Sequence, residues 1–186
     1  MLKKTSAVIG LCLMNCLLVH AEEKSGPKLV KFQLVGLFCP EREQDLRDLF
    51  AKLEKFKLVK IDVANAEASV EFDSTKVWAG VKSEKYIELF DNELRHASRG
   101  SFGAKPLRTT SMDKLKWIEI PVDGLDCLGC SYAAYRLVYQ LPGVEMATAS
   151  FRTRTVRALI DPEKIDRDKL QSALKKGGVD VPPLPK

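Results

Sequence analysis

Histidine is almost missing from this chain of 186 residues; His20 and His96 are the whole supply. That excludes a histidine-rich metal cage and leaves no credible Cys–His or Ser–His pair for nucleophilic catalysis. No catalytic residue and no organic cofactor site is expected. Cysteine is sparse too. Of five, Cys12 and Cys16 lie near the start, leaving Cys39, Cys127 and Cys130. Three are too few for a disulfide framework, and an odd number leaves one thiol over. Beyond the first 21 residues no apolar run approaches the roughly 20 residues that a bilayer span requires. Nor is charge of one sign gathered anywhere. The formal net charge is +5, but lysine and arginine alternate with aspartate and glutamate. A nucleic-acid-binding stripe is therefore not indicated.

What is present begins with a leader. Lys3 and Lys4 precede an apolar stretch, Ala7 to Val19, and Val19-His20-Ala21 ends in a small residue before Glu22-Glu23. This pattern predicts a secretory signal peptide, residues 1–21, cleaved after Ala21. Asn15 is bulky for a lipoprotein signal built on Cys16, and the run is short for a membrane anchor. The expected product is soluble and extracytoplasmic, in the periplasm or secreted, with a net charge of +3 once Lys3 and Lys4 are gone.

The most informative motif is Gly124-Leu125-Asp126-Cys127-Leu128-Gly129-Cys130. It follows a strand-like run, Leu115 to Val122, and precedes a helical run expected to start near Ser131. Two thiols at this spacing, at a strand-to-helix turn, converge on one soft ion. Thiolates select such ions, and a helix N-terminus favours the thiolate. Cys127 and Cys130 are the candidate metal ligands.

The motif has an earlier echo. A shift of 88 residues lays Gly36-Leu37-Phe38-Cys39 on Gly124-Leu125-Asp126-Cys127, Leu49 on Leu137, Asp73 on Asp161 and Lys76 on Lys164. Apolar positions coincide as well: Leu46 with Ala134, Phe50 with Val138, Leu53 with Leu141, Phe72 with Ile160. Each copy reads as β-α-β-β-α-β. In the first, strands are expected at Leu29 to Val35, Leu58 to Val63, Ala68 to Phe72 and Ser101 to Lys105. Its helix faces are lined by Leu46, Leu49, Phe50 and Leu53, then by Ile87, Phe90 and Leu94. In the second copy, helices carry Ala134, Val138 and Leu141, then Ile165 to Lys176. Strands are expected at Val144 to Ser150, Thr155 to Ile160 and Val179 to Val181. The division is 28–105 for the first domain, 106–113 for a polar linker and 114–183 for the second.

With these residues in view, the chain resembles the heavy-metal-associated domain, found in copper chaperones, copper-ATPase metal-binding domains and periplasmic mercury-binding proteins. The loop around Cys127 follows the family's Gly-Met-x-Cys-x-x-Cys pattern, with Leu125 for the usual Met. Leu141 to Val144 and Lys175 to Val179 match further landmarks. The resemblance implies an α+β fold of two tandem ferredoxin-like sandwiches, and a buried anchoring role for Leu125. It departs at Val179, where the family often has Lys, Tyr or Phe near the metal. In the first copy, Arg42 stands where a second thiol belongs. A guanidinium is no ligand there and repels a cation, so the first copy is not expected to bind metal, and Arg42→Cys is expected to restore a site.

Three functions follow for weighing. The first is a carrier that binds a soft ion at Cys127 and Cys130 and hands it to another dithiol carrier or a metal transporter. Cu(I) leads, Hg(II) suits the same geometry, and Zn(II) usually requires four ligands. The second is a thiol–disulfide protein, although Asp126 stands where thioredoxin-type motifs place Trp. The third is an interaction module without metal. Cys39 would count only as a third sulfur were the two domains to face each other. His96 reads as a helix-end surface residue and Trp78 and Trp117 as packing at domain edges; of Tyr132, Tyr135 and Tyr139 at least one is expected to face solvent as part of a docking surface, and helix packing explains them equally well.

Overall fold

The computed structural model describes residues 26–183. The leader assigned to residues 1–21, with Cys12, Cys16 and His20, lies outside them. The first half runs β1 (Pro27–Val35), α1 (Arg42–Lys52), β2 (Lys57–Asp62), β3 (Glu67–Asp73), α2 (Tyr86–Ala97) and β4 (Gly103–Lys105). Its antiparallel sheet has the order β2-β3-β1-β4, the split βαββαβ arrangement of a ferredoxin-like sandwich. The second half runs β5 (Lys116–Pro121), α3 (Leu128–Tyr139), β6 (Val144–Ser150), β7 (Thr155–Ile160) and α4 (Arg167–Lys176). Its sheet has the order β5-β7-β6. The strand expected over Val179 to Val181 shrinks to a single bridge between Asp123 and Asp180. Pro182 and Pro183 explain this, since neither carries the N–H a ladder needs.

Alternation builds each core. Phe32 and Leu34 of β1 and Ala68, Val70 and Phe72 of β3 turn inward, where they meet Leu46, Leu49 and Phe50 of α1 and Phe90 and Leu94 of α2. Trp78 sits within this core's aromatic group, its ring centroid 4.9 Å from that of Phe90. In the second half Ile118, Ile120, Val156 and Ala158 face Ala134, Val138, Leu170 and Leu174. Asp166 caps α4, its carboxylate accepting from the Lys169 N–H at 2.9 Å. Among the described residues no helix is long and apolar enough to cross a membrane.

The two halves meet along a seam. Phe38 and Cys39 of the first half pack into the core of the second, and the Ala149 N–H donates to the Phe38 carbonyl at 3.0 Å. On the other face of the second sheet, Met146, Leu159 and Trp117 pack with Ala66 of the β2–β3 turn. Trp117 thus lies against the seam, with the Arg157 guanidinium 4.8 Å from its ring.

Candidate metal centre

The loop from Gly124 to Cys130 is built by three local choices. Gly124 takes φ +75° with open space around it, turning the chain away from β5 at little steric cost. Leu125 is buried in the core and pins the loop. Cys127 then caps α3, its sulfur accepting from the Cys130 N–H at 3.2 Å. The helix therefore starts at Leu128, earlier than the expected Ser131, and places Cys130 in its first turn.

This geometry brings the two sulfurs to 2.6 Å of each other at the surface. The hydrogen bond from the Cys130 thiol, aided by the Cys130 N–H, holds the Cys127 thiol below its ordinary value, against an opposing push from Asp126. Thiolate is the form that coordinates a metal or attacks a disulfide. Leu128 between them is exposed. Val179 packs half-buried against the second core, and Lys175 and Lys176 stand exposed in the last turn of α4.

The first copy's loop has a different fate. Gly36 takes φ +91°, and a Cβ there would collide with the Ser101 carbonyl oxygen, so glycine is required. Cys39 is 4 % exposed. Burial, and then a hydrogen bond to the Glu41 carboxylate, push its thiol up to about 11, so it stays protonated at neutral pH. Arg42 does not stand over an open ligand position. Its guanidinium lies 4.1 Å from the Phe102 ring centroid and 5.6 Å from that of Phe38, and it pairs with Asp45 at 2.8 Å. The third-sulfur role for Cys39 fails as well: among the described residues no three or more His, Cys, Asp or Glu side chains gather to hold an ion. His96 is exposed in the last turn of α2, as expected.

Of the two readings left for the α3 tyrosines, packing holds for Tyr135, which belongs to the seam, while Tyr132 and Tyr139 are half-buried beside it. Tyr135 is 3 % exposed and accepts from the Gly36 N–H at 2.9 Å. Phe38 lies 5.3 Å from Tyr135 and 5.6 Å from Tyr132. Sequence reasoning passed over Phe38 and did not pair it with Tyr135, yet the duplication carried a signal. Under the shift of 88 residues Phe38 falls on Asp126, and Tyr132, Tyr135 and Tyr139 fall on Gln44, Arg47 and Ala51. Apolar and aromatic residues at positions that are polar or small in the other copy mark a contact that only one copy makes.

No family model matches the chain. Among curated proteins it is 25% identical over 130 residues to a copper-exporting P-type ATPase of Staphylococcus aureus (strain Newman), which covers 70% of this chain. The chain spans only 14% of that relative's length. Similar solved structures include oxidized MerP from Ralstonia metallidurans CH34, at 22% identity and TM-score 0.35, covering 37% of this chain and 94% of that one. The N-terminal soluble domains of Bacillus subtilis CopA match at 15% identity and TM-score 0.35, covering 85% and 94%.

The chain resembles the heavy-metal-associated domain proteins. One copy's loop presents two convergent sulfurs, Cys127 exposed and Cys130 half-buried, while the other copy's loop has become packing.

Proposed function

We propose that this protein binds one soft metal ion, Cu(I), through Cys127 and Cys130 and passes it to another dithiol carrier or a metal transporter. The observation that carries this reading is the convergence of an exposed and a half-buried sulfur at the start of α3, with the Cys127 thiolate favoured. Two thiolates at an exposed loop hold a soft ion in low coordination, which leaves it open to attack by an incoming dithiol. The similarity to copper-exporting ATPases favours Cu(I). Hg(II) suits the same pair, and Zn(II) would need further ligands. The protein acts as a carrier and not as a catalyst. We place it outside the cytoplasm, delivered there by residues 1–21; the N-terminal residue of the recovered protein should be Glu22.

The test is metal stoichiometry on the reduced chain without oxygen, using Cu(I), Hg(II) and Zn(II) against a competing chelator. One Cu(I) per chain is expected. Cys127→Ser or Cys130→Ser should weaken binding by orders of magnitude, and Cys39→Ser should leave it unchanged. Two ions per chain, or indifference to Cys127→Ser, would overturn the proposal. Thiol–disulfide exchange draws on the same sulfur contact. It predicts catalysed reduction of a mixed disulfide by the metal-free chain, which a carrier does not require.

A further inference from the structure

Along the chain, charges of both signs are interleaved, but folding sorts them. The helices of the second half, α3 and α4, carry five cations (Arg136, Arg167, Lys169, Lys175 and Lys176) against one carboxylate, Asp168. Those of the first half, α1 and α2, carry four cations against six carboxylates, and Arg42, Arg47 and Arg95 are each paired with one of them. Among the described residues no ion pair engages the five cations of α3 and α4.

Both helices lie on the same side of their sheet. Ala134 and Val138 of α3 and Leu170 and Leu174 of α4 face the core. A Cβ at Gly177 would collide with Leu137, so α4 ends against α3. At about 100° per residue, Arg136 falls opposite Ala134 and Val138, and Lys169, Lys175 and Lys176 fall on the far side from Leu170 and Leu174. All four are exposed. Helix stability does not explain the set. Lys175 and Lys176 suit the last turn of α4, but Arg167 and Lys169 stand in its first turn, where the helix dipole disfavours a cation.

The tip of the same half has the opposite sign. Asp123, Asp126 and Asp180 are exposed beside the cysteines' loop, with Asp123 and Asp180 bridged to each other. An acidic carrier seated over the cysteines would meet this tip and be repelled. An anionic surface laid along the helices meets the cations instead.

We propose that the outer face of α3 and α4 docks on an anionic lipid surface, with the cysteine tip turned away from the headgroups. A helical face with this many cations is what anionic membranes attract, each cation contributing about fivefold in affinity. A flat charged surface asks only that the cations share one side of the body, not that they converge on a point. Apart from Leu128 at the tip, neither helix exposes a large apolar side chain, so the contact is electrostatic and shallow. For the carrier proposed above, docking holds the tip beside a membrane-embedded acceptor; that consequence rests on the metal reading, and the docking itself does not.

The test uses the reduced, metal-free chain from Glu22 onward, which contains the whole described fold, and vesicles of equal parts phosphatidylglycerol and phosphatidylcholine. Co-sedimentation is expected with these vesicles, is absent with phosphatidylcholine alone and weakens in high salt. Arg136→Gln, Lys175→Gln and Lys176→Gln should each weaken it about fivefold, and Lys175→Arg should preserve it. Lys60→Gln, which removes an exposed cation of β2 in the first half, should change nothing. On the vesicles, Cys127 should stay as open to a water-soluble alkylating reagent as it is in solution. No binding to the mixed vesicles, an equal loss in Lys60→Gln, or protection of Cys127 would overturn the proposal. So would saturable binding of polyglutamate by a chain that ignores the vesicles, which would assign the face to an acidic protein. Metal stoichiometry is measured separately, so a chain that binds no Cu(I) still answers this test.

Discussion

Cys39 and Cys127 hold matching loop positions under the shift of 88 residues and are chemical opposites. Cys127 is exposed with its thiolate favoured; Cys39 is buried with its thiol pushed up to about 11. An alkylating reagent at neutral pH should label Cys127 and Cys130 quickly and Cys39 only after unfolding. The same shift fixes a pH dependence. A folded value above the ordinary 9.0 means that the protonated form is favoured by folding. Cys39 therefore contributes its full stability below about 9 and loses it as pH rises through about 11. Urea midpoints across that window should fall for the wild type and fall less for Cys39→Ala. Arg42 belongs to this scale as well. From the sequence, Arg42→Cys was expected to create a second site by removing a repulsive charge. The structure revises that. A new thiol at position 42 would find Cys39 facing the other half and protonated, so metal stoichiometry should remain one per chain.

At the scale of the element, α3 does two jobs from two ends. Its first turn presents the cysteines, and its tyrosine face fastens the halves together. Tyr135→Phe leaves the Gly36 N–H without its partner in a buried place, a loss of about 1–3 kcal/mol. Phe38→Ala removes a side chain 1 % exposed and should cost about 3–5 kcal/mol. The telling measurement is which half responds. Phe38 is covalently part of the first half, yet its loss should lower the unfolding midpoint reported by Trp117 at least as much as that reported by Trp78. The helices and strands themselves were legible in the sequence. Val144 to Ser150 and Thr155 to Ile160 came out with the expected ends, because β-branched and small residues alternate there and Pro142-Gly143 and Asp161-Pro162 bound them. The last strand was legible as a short one cut off by Pro182-Pro183; the structure shortens it further, to the single bridge between Asp123 and Asp180. The candidate site was legible for a different reason. Its chemistry is local, held in seven consecutive residues, whereas the seam depends on residues about 100 apart, such as Gly36 and Tyr135, which no short pattern joins.

At the scale of the whole molecule, the two sandwiches are linked twice, by residues 106–113 and by the seam. A protease should still cut within the linker, where Pro106 to Ser111 carries no helix or strand. The two fragments should then remain together on a sizing column under native conditions and separate only in denaturant. Prompt separation without denaturant would show that the seam is too weak to hold them. The ion pair between Arg152 and Glu41, at 2.6 Å across the seam, is largely exposed and contributes at most about 1 kcal/mol. Raising salt should therefore barely loosen the pair, because Phe38 and the tyrosines carry the contact.

The wedge formed by Phe38 and Cys39 also sets what arming the first loop would demand. A second thiol is one change. Freeing the loop from the neighbouring core is another, and that core must then survive the gap. The two demands pull against each other: whatever exposes Cys39 also opens the second half.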